Sequence, residues 1–212
     1  MSLKKLIIMG AGGHSKSSID VIESCGKYEI VGVIDSNIEK GDSFLGYPII
    51  GNDKDLPGFI NNCDDEVQGV VCVGQIKYSQ TRSDLHKILK KLNILSSPII
   101  SNFAYVSSKS KIGDGSIIFH GSIINSSSEI GENCIINSQA LIEHDVSISA
   151  HCHISTGAKL NGSVEIGEAC FIGSGAVIKQ GVKIGAGSVI GMGEKVFQDV
   201  EAGKIISSEK KL

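Results

Sequence analysis

Two hydrophobic rhythms divide the chain. Up to about residue 97, short apolar runs alternate with segments of helical spacing. Lys5–Met9 reads as a strand that ends in the run Gly10-Ala11-Gly12-Gly13-His14, and Ser15–Ser24 places apolar residues on one helical face. Glu29–Ile34, closed by Asp35, is a second strand, and Val67–Val73 a third. Ser79–Leu92 is an amphipathic helix. Strand, Gly-rich turn, helix and strand form a βαβ unit, which implies a parallel sheet of about four strands.

Beyond residue 98 the period becomes six. Every sixth residue from Ile100 through Ile112, Ile124 and Ile142 to Val196 is a branched aliphatic, seventeen positions without an insertion. Four places after each, small residues dominate: Ser116, Ser122, Ser128, Cys134, Ala140, Cys152, Ala158, Cys170 and Ala176. A period of six fits neither a helix nor simple strand alternation and marks a solenoid. The pattern resembles the hexapeptide-repeat transferases, whose left-handed parallel β-helix has triangular coils of three hexapeptides. The resemblance implies an α/β Rossmann-like domain over residues 1–97, followed by an all-β left-handed β-helix over residues 98–212. In such a coil the aliphatic residue and the small residue four later point inward. Cys134, Cys152 and Cys170, each 18 apart, should then stack in the core as small apolar residues.

Composition narrows the classes. The 212 residues carry 20 basic and 23 acidic side chains, mixed along the length for a net charge of -3, which gives no nucleic-acid footprint and no polybasic membrane patch. No apolar run approaches a membrane span, and the one after Lys4-Lys5 is too short for a secretory signal, so the expected location is cytoplasmic, without membrane insertion. Six cysteines contain no C-x-x-C pair, and no metal is expected. Twenty-six glycines with three prolines fit a regular scaffold with many tight turns.

The candidate chemistry lies in two places. His144 falls two residues after Ile142 and Gly162 two after Leu160, so in the β-helix they share one corner on successive coils. An imidazole beside a backbone N–H is what acyl transfer needs: a base for the nucleophile's proton and a donor for the oxyanion. Asp145 follows and can orient the ring. The second place is Gly10, Gly12, Gly13 and His14, a loop opening a helix, where backbone N–H groups receive phosphate. Ser15 stands where a dinucleotide fingerprint has its third glycine, and the domain is too small for two mononucleotide halves. His120, His151 and His86 match no pattern and read as surface residues.

The segment Asn137–Gly162 is similar to PglD/NeuD-type acetyltransferases, which modify nucleotide-activated amino sugars or sialic acids. It carries the asparagine Asn137, the His-acidic pair His144-Asp145, the second histidine His153, and Gly157-Ala158 followed by Gly162. The resemblance implies that His144 is the general base, that Asp145 orients it, that His153 lies near the acetyl group, and that the Gly162 N–H receives the thioester carbonyl. It further implies acetyl-CoA against Gly173, Ser174, Gly191 and Gly193, and a UDP-linked 4-amino sugar held by the Gly-rich loop with Asp35, Gly74, Gln75 and Asn137. Its sites lie between subunits of a homotrimer. The tail Glu201–Ile206 lacks the proline common in such transferases near the distal end of CoA.

O-acetylation of sialic acid is the enzymatic alternative. A zinc carbonic anhydrase-like β-helix would need converging histidines, and His120, His144 and His151 occupy different hexapeptide positions. A non-catalytic scaffold would bind no CoA.

Overall fold

The computed structural model describes residues 3–63, 65–76 and 80–208. The first domain is built on β1 (Lys4–Met9), α1 (Gly13–Cys25), β2 (Tyr28–Ile34), β3 (Ser43–Phe44), β4 (Tyr47–Gly51), α2 (Leu56–Asn61), β5 (Val67–Val71) and α3 (Gln80–Lys91). The sheet has five strands in the order β3-β4-β2-β1-β5, one more than the sequence suggests. β3 is an antiparallel hairpin partner of β4, turning through Leu45 and Gly46 at positive φ, while the rest are parallel. The β1 and β5 side chains Leu6, Ile7, Ile8, Met9, Val70 and Val71 are buried, as expected of a sheet covered on both faces. α3 begins at Gln80; Ser79 lies outside the described residues.

From Ile99 onward the chain is a left-handed β-helix of two-residue strands stacked in three parallel sheets. Register is fixed at 18: Ile124 pairs with Ile142 and Ile142 with Leu160, and Ile136 pairs with Ile154. The inward aliphatics form one core with Cys134, Cys152 and Cys170, all fully buried free thiols. Coil corners turn through residues in the left-handed region, among them Asn133, Asp145, Gly157 and Gly175, where small or Asx-type side chains are tolerated.

The small inward position has a second role. Ser116, Ser122 and Ser128 hydroxyls donate to the carbonyls of Gly131, Asn137 and Glu143, and the Cys134, Cys152 and Cys170 thiols donate to those of Ser149, Gly167 and Gly185. In each pair the acceptor lies 15 residues on, at the next coil's corner. A buried corner carbonyl would otherwise lack a partner.

The outward residue of each strand distinguishes the three faces. One face carries Ile99, Ile117, Ile135, His153, Phe171 and Val189. The first domain covers it: Ile99, Ile117, Phe119 and Ile135 share a core with Leu6, Ile8, Ile19, Ile22 and Cys25. A second face carries Lys111, Glu129, Ser147, Glu165 and Lys183, with Lys111–Glu129 and Lys183–Glu165 ion pairs between coils. The third is mixed: Tyr105, Ile123, Leu141, Lys159, Val177 and Lys195.

Candidate active site

Where β1 and β5 end, the chain opens a cleft of about 860 Å³, lined by the Gly10–His14 loop, Asp35–Asn37, Asp53, Gly74, Gln75 and, from the β-helix, His153. Gly10 has φ +108, and a Cβ there would lie 2.7 Å from Val73 Cγ2, so only glycine lets the loop leave β1 this close to β5. Ser15 is buried. Its hydroxyl lies 2.7 Å from the Gly10 carbonyl and 3.0 Å from that of Cys72, and it accepts from the Gly12 N–H at 3.2 Å. The residue in the third-glycine place therefore ties the loop to β5. The Asp35 carboxylate accepts from the Ala11 and Asn37 N–H groups, both at 2.8 Å, so it shapes the loop as well as lining the cleft.

Two imidazoles stand at the cleft's inner wall. His153 Nδ1 lies 2.6 Å from the Gln75 carbonyl, which can only accept, so the ring holds its proton there and presents Nε2 as an acceptor toward Asn137 Nδ2 at 3.3 Å. Burial is the main reason its pKa falls to about 4. His14 lies 6.1 Å from it, centroid to centroid, and packs on Phe119. Burial and the Arg82 guanidinium push His14 down to about 3, and its Nε2 is buried with no hydrogen-bond partner among the described residues. Gly74 packs closely here: a Cβ would lie 3.1 Å from His14 Cβ, a tight approach.

Sequence reasoning overlooked the wall's support. Arg82, on α3, is buried and donates to the Val71 and Val73 carbonyls at 2.8 Å and to the Asn133 carbonyl of the β-helix at 3.3 Å. Gln75 Nε2 donates to the His151 carbonyl at 2.9 Å. The histidines expected at the surface are not free there. His86 is buried by α3's packing on the β-helix and meets His151 edge-on at 5.3 Å. His151 is half-buried and pairs with Asn133 at 2.8 Å, while His120 is half-buried between Ser101 and Asp20. Among the described residues no group of three or more His, Cys, Asp or Glu is placed to hold a metal ion.

His144, Asp145 and Gly162 are elsewhere. They occupy the corner between the mixed and the charged faces, the prism edge opposite the face that the first domain covers. His144 Nδ1 lies 2.8 Å from Asp145 Oδ2, so the ring donates there and Nε2 is the free acceptor. The imidazole lies on the Gly162 backbone: a Cβ on Gly162 would be 2.6 Å from His144 Cε1 and 2.7 Å from Nε2. Gly173, Ser174, Gly191 and Gly193 lie at another corner, between the covered and mixed faces, one side of the mixed face away. There a Cβ on Gly173 would strike the Gly191 backbone at 2.6 Å. The structure thus brings His153 to the cleft, with Asn137 beside its ring, and leaves His144 with Gly162 at a separate edge.

Two family profiles match: the PglD N-terminal domain over residues 5–88 and the bacterial transferase hexapeptide repeat over residues 109–144 and 163–193. Among solved structures, a histidine-to-asparagine variant of perosamine N-acetyltransferase from Caulobacter crescentus, in complex with CoA and GDP-perosamine, superposes with TM-score 0.87. It is 29% identical, over 96% of this chain and 93% of that one. This chain belongs to the PglD-type hexapeptide-repeat sugar acetyltransferases. The acetyltransferase domain of PglB from Neisseria gonorrhoeae FA1090, in complex with acetyl coenzyme A, superposes with TM-score 0.86 at 29% identity, over 96% of each chain. WeeI from Acinetobacter baumannii AYE gives 0.83 at 25% identity, also over 96% of each. A comparison with curated proteins finds no significant match.

Proposed function

We propose that the enzyme N-acetylates an amino sugar carried on a nucleotide, using acetyl-CoA, at a site completed by a second copy of the chain. One observation carries this reading: the nucleotide-type cleft and the His144–Asp145–Gly162 corner are both formed, but on opposite sides of one prism. A sugar anchored in the cleft meets His144 only if that histidine belongs to a neighbour. Tyr105, Ile123, Leu141 and Val177 on the mixed face give apolar area for such contact, and a homotrimer fits three equivalent clefts and corners.

The diphosphate is received at the N-terminus of α1 by the Gly13 and His14 amides, with the helix dipole behind them. Asp35–Asn37 and Asp53 face the nucleoside. Uridine is our assignment; the GDP sugar bound by the Caulobacter relative supports guanosine as the second reading. Neutral His14 and His153 add no positive charge near the sugar amine, which reacts as the free base after giving its ammonium proton to solvent. His144 Nε2 takes the amine proton as nitrogen attacks the acyl carbon, and Asp145 stabilises the imidazolium. The Gly162 N–H donates to the developing oxyanion. The carbon–sulfur bond then breaks, and the imidazolium returns a proton to the thiolate. A thioester is already activated, so proximity and this charge stabilisation suffice.

The test is thiol release from acetyl-CoA with UDP- and GDP-4-amino sugars and with free and CMP-activated sialic acids. Turnover with one nucleotide amino sugar is expected, lost in His144→Ala while sugar binding persists. Turnover confined to sialic acids would transfer the assignment to O-acetylation. Unchanged kcat in His144→Ala would overturn the mechanism.

A further inference from the structure

Where β5 leaves the sheet, successive backbone carbonyls are held by side chains. Arg82 donates to those of Val71 and Val73, and the Ser15 hydroxyl reaches that of Cys72. The chain then passes Gly74 and delivers Gln75 to the β-helix. Gln75 is 7% exposed and Ile76 after it 70%, so this one amide is turned inward and its neighbour out. Both ends of Gln75 are engaged. Its side-chain Nε2 donates to the His151 carbonyl at 2.9 Å, and its backbone carbonyl receives His153 Nδ1 at 2.6 Å. His151 and His153 are two residues apart, so the two bonds form a clamp that keeps Gln75 from turning about either.

The clamp bears on a ring whose plane is already fixed. His153 packs edge-on against Phe171 at 5.2 Å and beside His14 at 6.1 Å, centroid to centroid. Packing settles how the ring lies, but the hydrogen bonds settle which nitrogen carries the proton. Facing the Gln75 carbonyl, Nδ1 must donate. On the other side, Asn137 Oδ1 accepts from the Ser138 N–H at 2.8 Å, so the amide turns its NH2 to the ring and Nε2 must accept at 3.3 Å. Both neighbours demand the same tautomer. With the proton on Nε2 instead, Nδ1 and the Gln75 carbonyl would meet lone pair to lone pair. Donor would face donor at Asn137 until that amide turned over. Turning over would take its oxygen from Ser138 and put an acceptor where a donor stood beside the cleft. A site whose donors and acceptors are exchanged leaves its substrate's polar groups unpaired.

We propose that Gln75 is a positioning residue: its side-chain bond to His151 holds its own carbonyl on His153 Nδ1, and so fixes the His153 tautomer and the direction of the Asn137 amide. Gln75 lines the cleft, but it acts through His153 rather than on the nucleotide. The kinetic consequence rests on the acetyl-transfer reading above; the tautomer does not.

The test is long-range proton–nitrogen NMR of the full-length protein carrying nitrogen-labelled histidine, in wild type, Gln75→Leu and Gln75→Met. The His153 signals are those missing from His153→Gln. Wild type at neutral pH is expected to show a protonated Nδ1 and an unprotonated Nε2. The two Gln75 variants keep a side chain of similar size but lose the donor, and should show both tautomers in exchange. Calorimetry with UDP and with GDP should give affinities equal to wild type. Acetyl transfer should lose about tenfold in kcat, the rate equivalent of one hydrogen bond, with KM for acetyl-CoA unchanged. A wild-type ring protonated on Nε2 overturns the proposal whatever the variants do. Variants that keep the single Nδ1–H form overturn it as well, and if they bind the bare nucleotide more weakly, Gln75 is a nucleotide contact. The tautomer is read without substrate. A mixed tautomer in the variants, with no turnover in wild type, would therefore sink the acetyl-transfer reading and leave the positioning role of Gln75 standing.

Discussion

Gly162→Ala separates the placement of the His144 ring from every other property of the corner. The φ of Gly162 lies outside the left-handed region, so alanine meets no backbone strain, and its N–H is retained for the oxyanion. Only the methyl is new. It would sit 2.6 Å from His144 Cε1 and 2.7 Å from Nε2. Carbon contacts settle at about 3.5–4.0 Å, so the ring must retreat by about 1 Å. That is enough to take Nε2 out of line with a bound amine. A misplacement of about 1 Å costs on the order of 10²-fold in rate, equivalent to about 2.7 kcal/mol of barrier.

Stability should move the other way. The imidazole is more than half exposed, its side chain at 56%, so it can swing into water without disturbing the core. Replacing glycine at a compatible φ adds about 0.4–1 kcal/mol by restricting the unfolded chain. The expected result is a Tm equal to or above that of the parent, unchanged affinity for the nucleotide sugar, and kcat down roughly 100-fold. Steady-state thiol release and thermal unfolding on the same preparation measure both. A kcat within twofold of wild type would refute the claim that His144 acts from its seat on Gly162. A fall in Tm with kcat would point to a corner that matters for folding alone.

Acid should destabilise the fold through its buried rings. His86 and His153 titrate near 4 when folded, against 6.5 unfolded, so below pH 6.5 the unfolded chain binds protons that the folded chain refuses. Stability is therefore lost as pH falls from 6.5 toward about 4, by up to about 1.4 kcal/mol per pH unit for each ring, and His86→Leu should flatten the pH profile of urea midpoints over that window. Arg82→Met leaves the Val71, Val73 and Asn133 carbonyls without their donor and should cost about 2–4 kcal/mol in urea unfolding, raising KM for the nucleotide sugar with it. Cys152→Ser should change stability by less than about 1.5 kcal/mol, because Ser122 already makes the equivalent bond to Asn137 in the same β-helix, whereas Cys152→Leu should overpack the core by about 1–3 kcal/mol.

The β-helix was legible because its signal is covalent in scale: six residues per side and 18 per coil place His144 over Gly162 without tertiary information. The hairpin of β3 and β4 was not, because its turn is Leu45-Gly46, an apolar residue in a left-handed position where Asn-Gly would be the readable sign. Arg82 and His86 were hidden by the amphipathic pattern itself. Spaced by four, they look like the polar stripe of α3, whose apolar stripe is Leu85 and Leu89. But α3 is packed on two sides, with Leu85 and Leu89 toward the sheet and Arg82 and His86 toward the β-helix. A helix bonded to two surfaces buries polar side chains that a one-sided reading assigns to water.

One signal in the sequence did contain the covered face. Taking the residue before each inward aliphatic at intervals of 18 gives Ile99, Ile117, Ile135, His153, Phe171 and Val189 for one side, and Lys111, Glu129, Ser147, Glu165 and Lys183 for another. A ladder that apolar must be buried, so its side of the prism receives the first domain, and the only polar rung among these six marks where that domain's cleft meets the β-helix. The consequence for catalysis is topological. Covering one face places the opposite edge as far from the cleft as a triangular prism allows, and His144 stands on that edge. On the proposed mechanism, a chain that folds in this way does not bring its own His144 to its own cleft. Activity should therefore depend on protein concentration below the assembly's dissociation range, with kcat per chain falling while the chain stays folded. A fully active monomer, shown by light scattering under assay conditions, would defeat the two-subunit site.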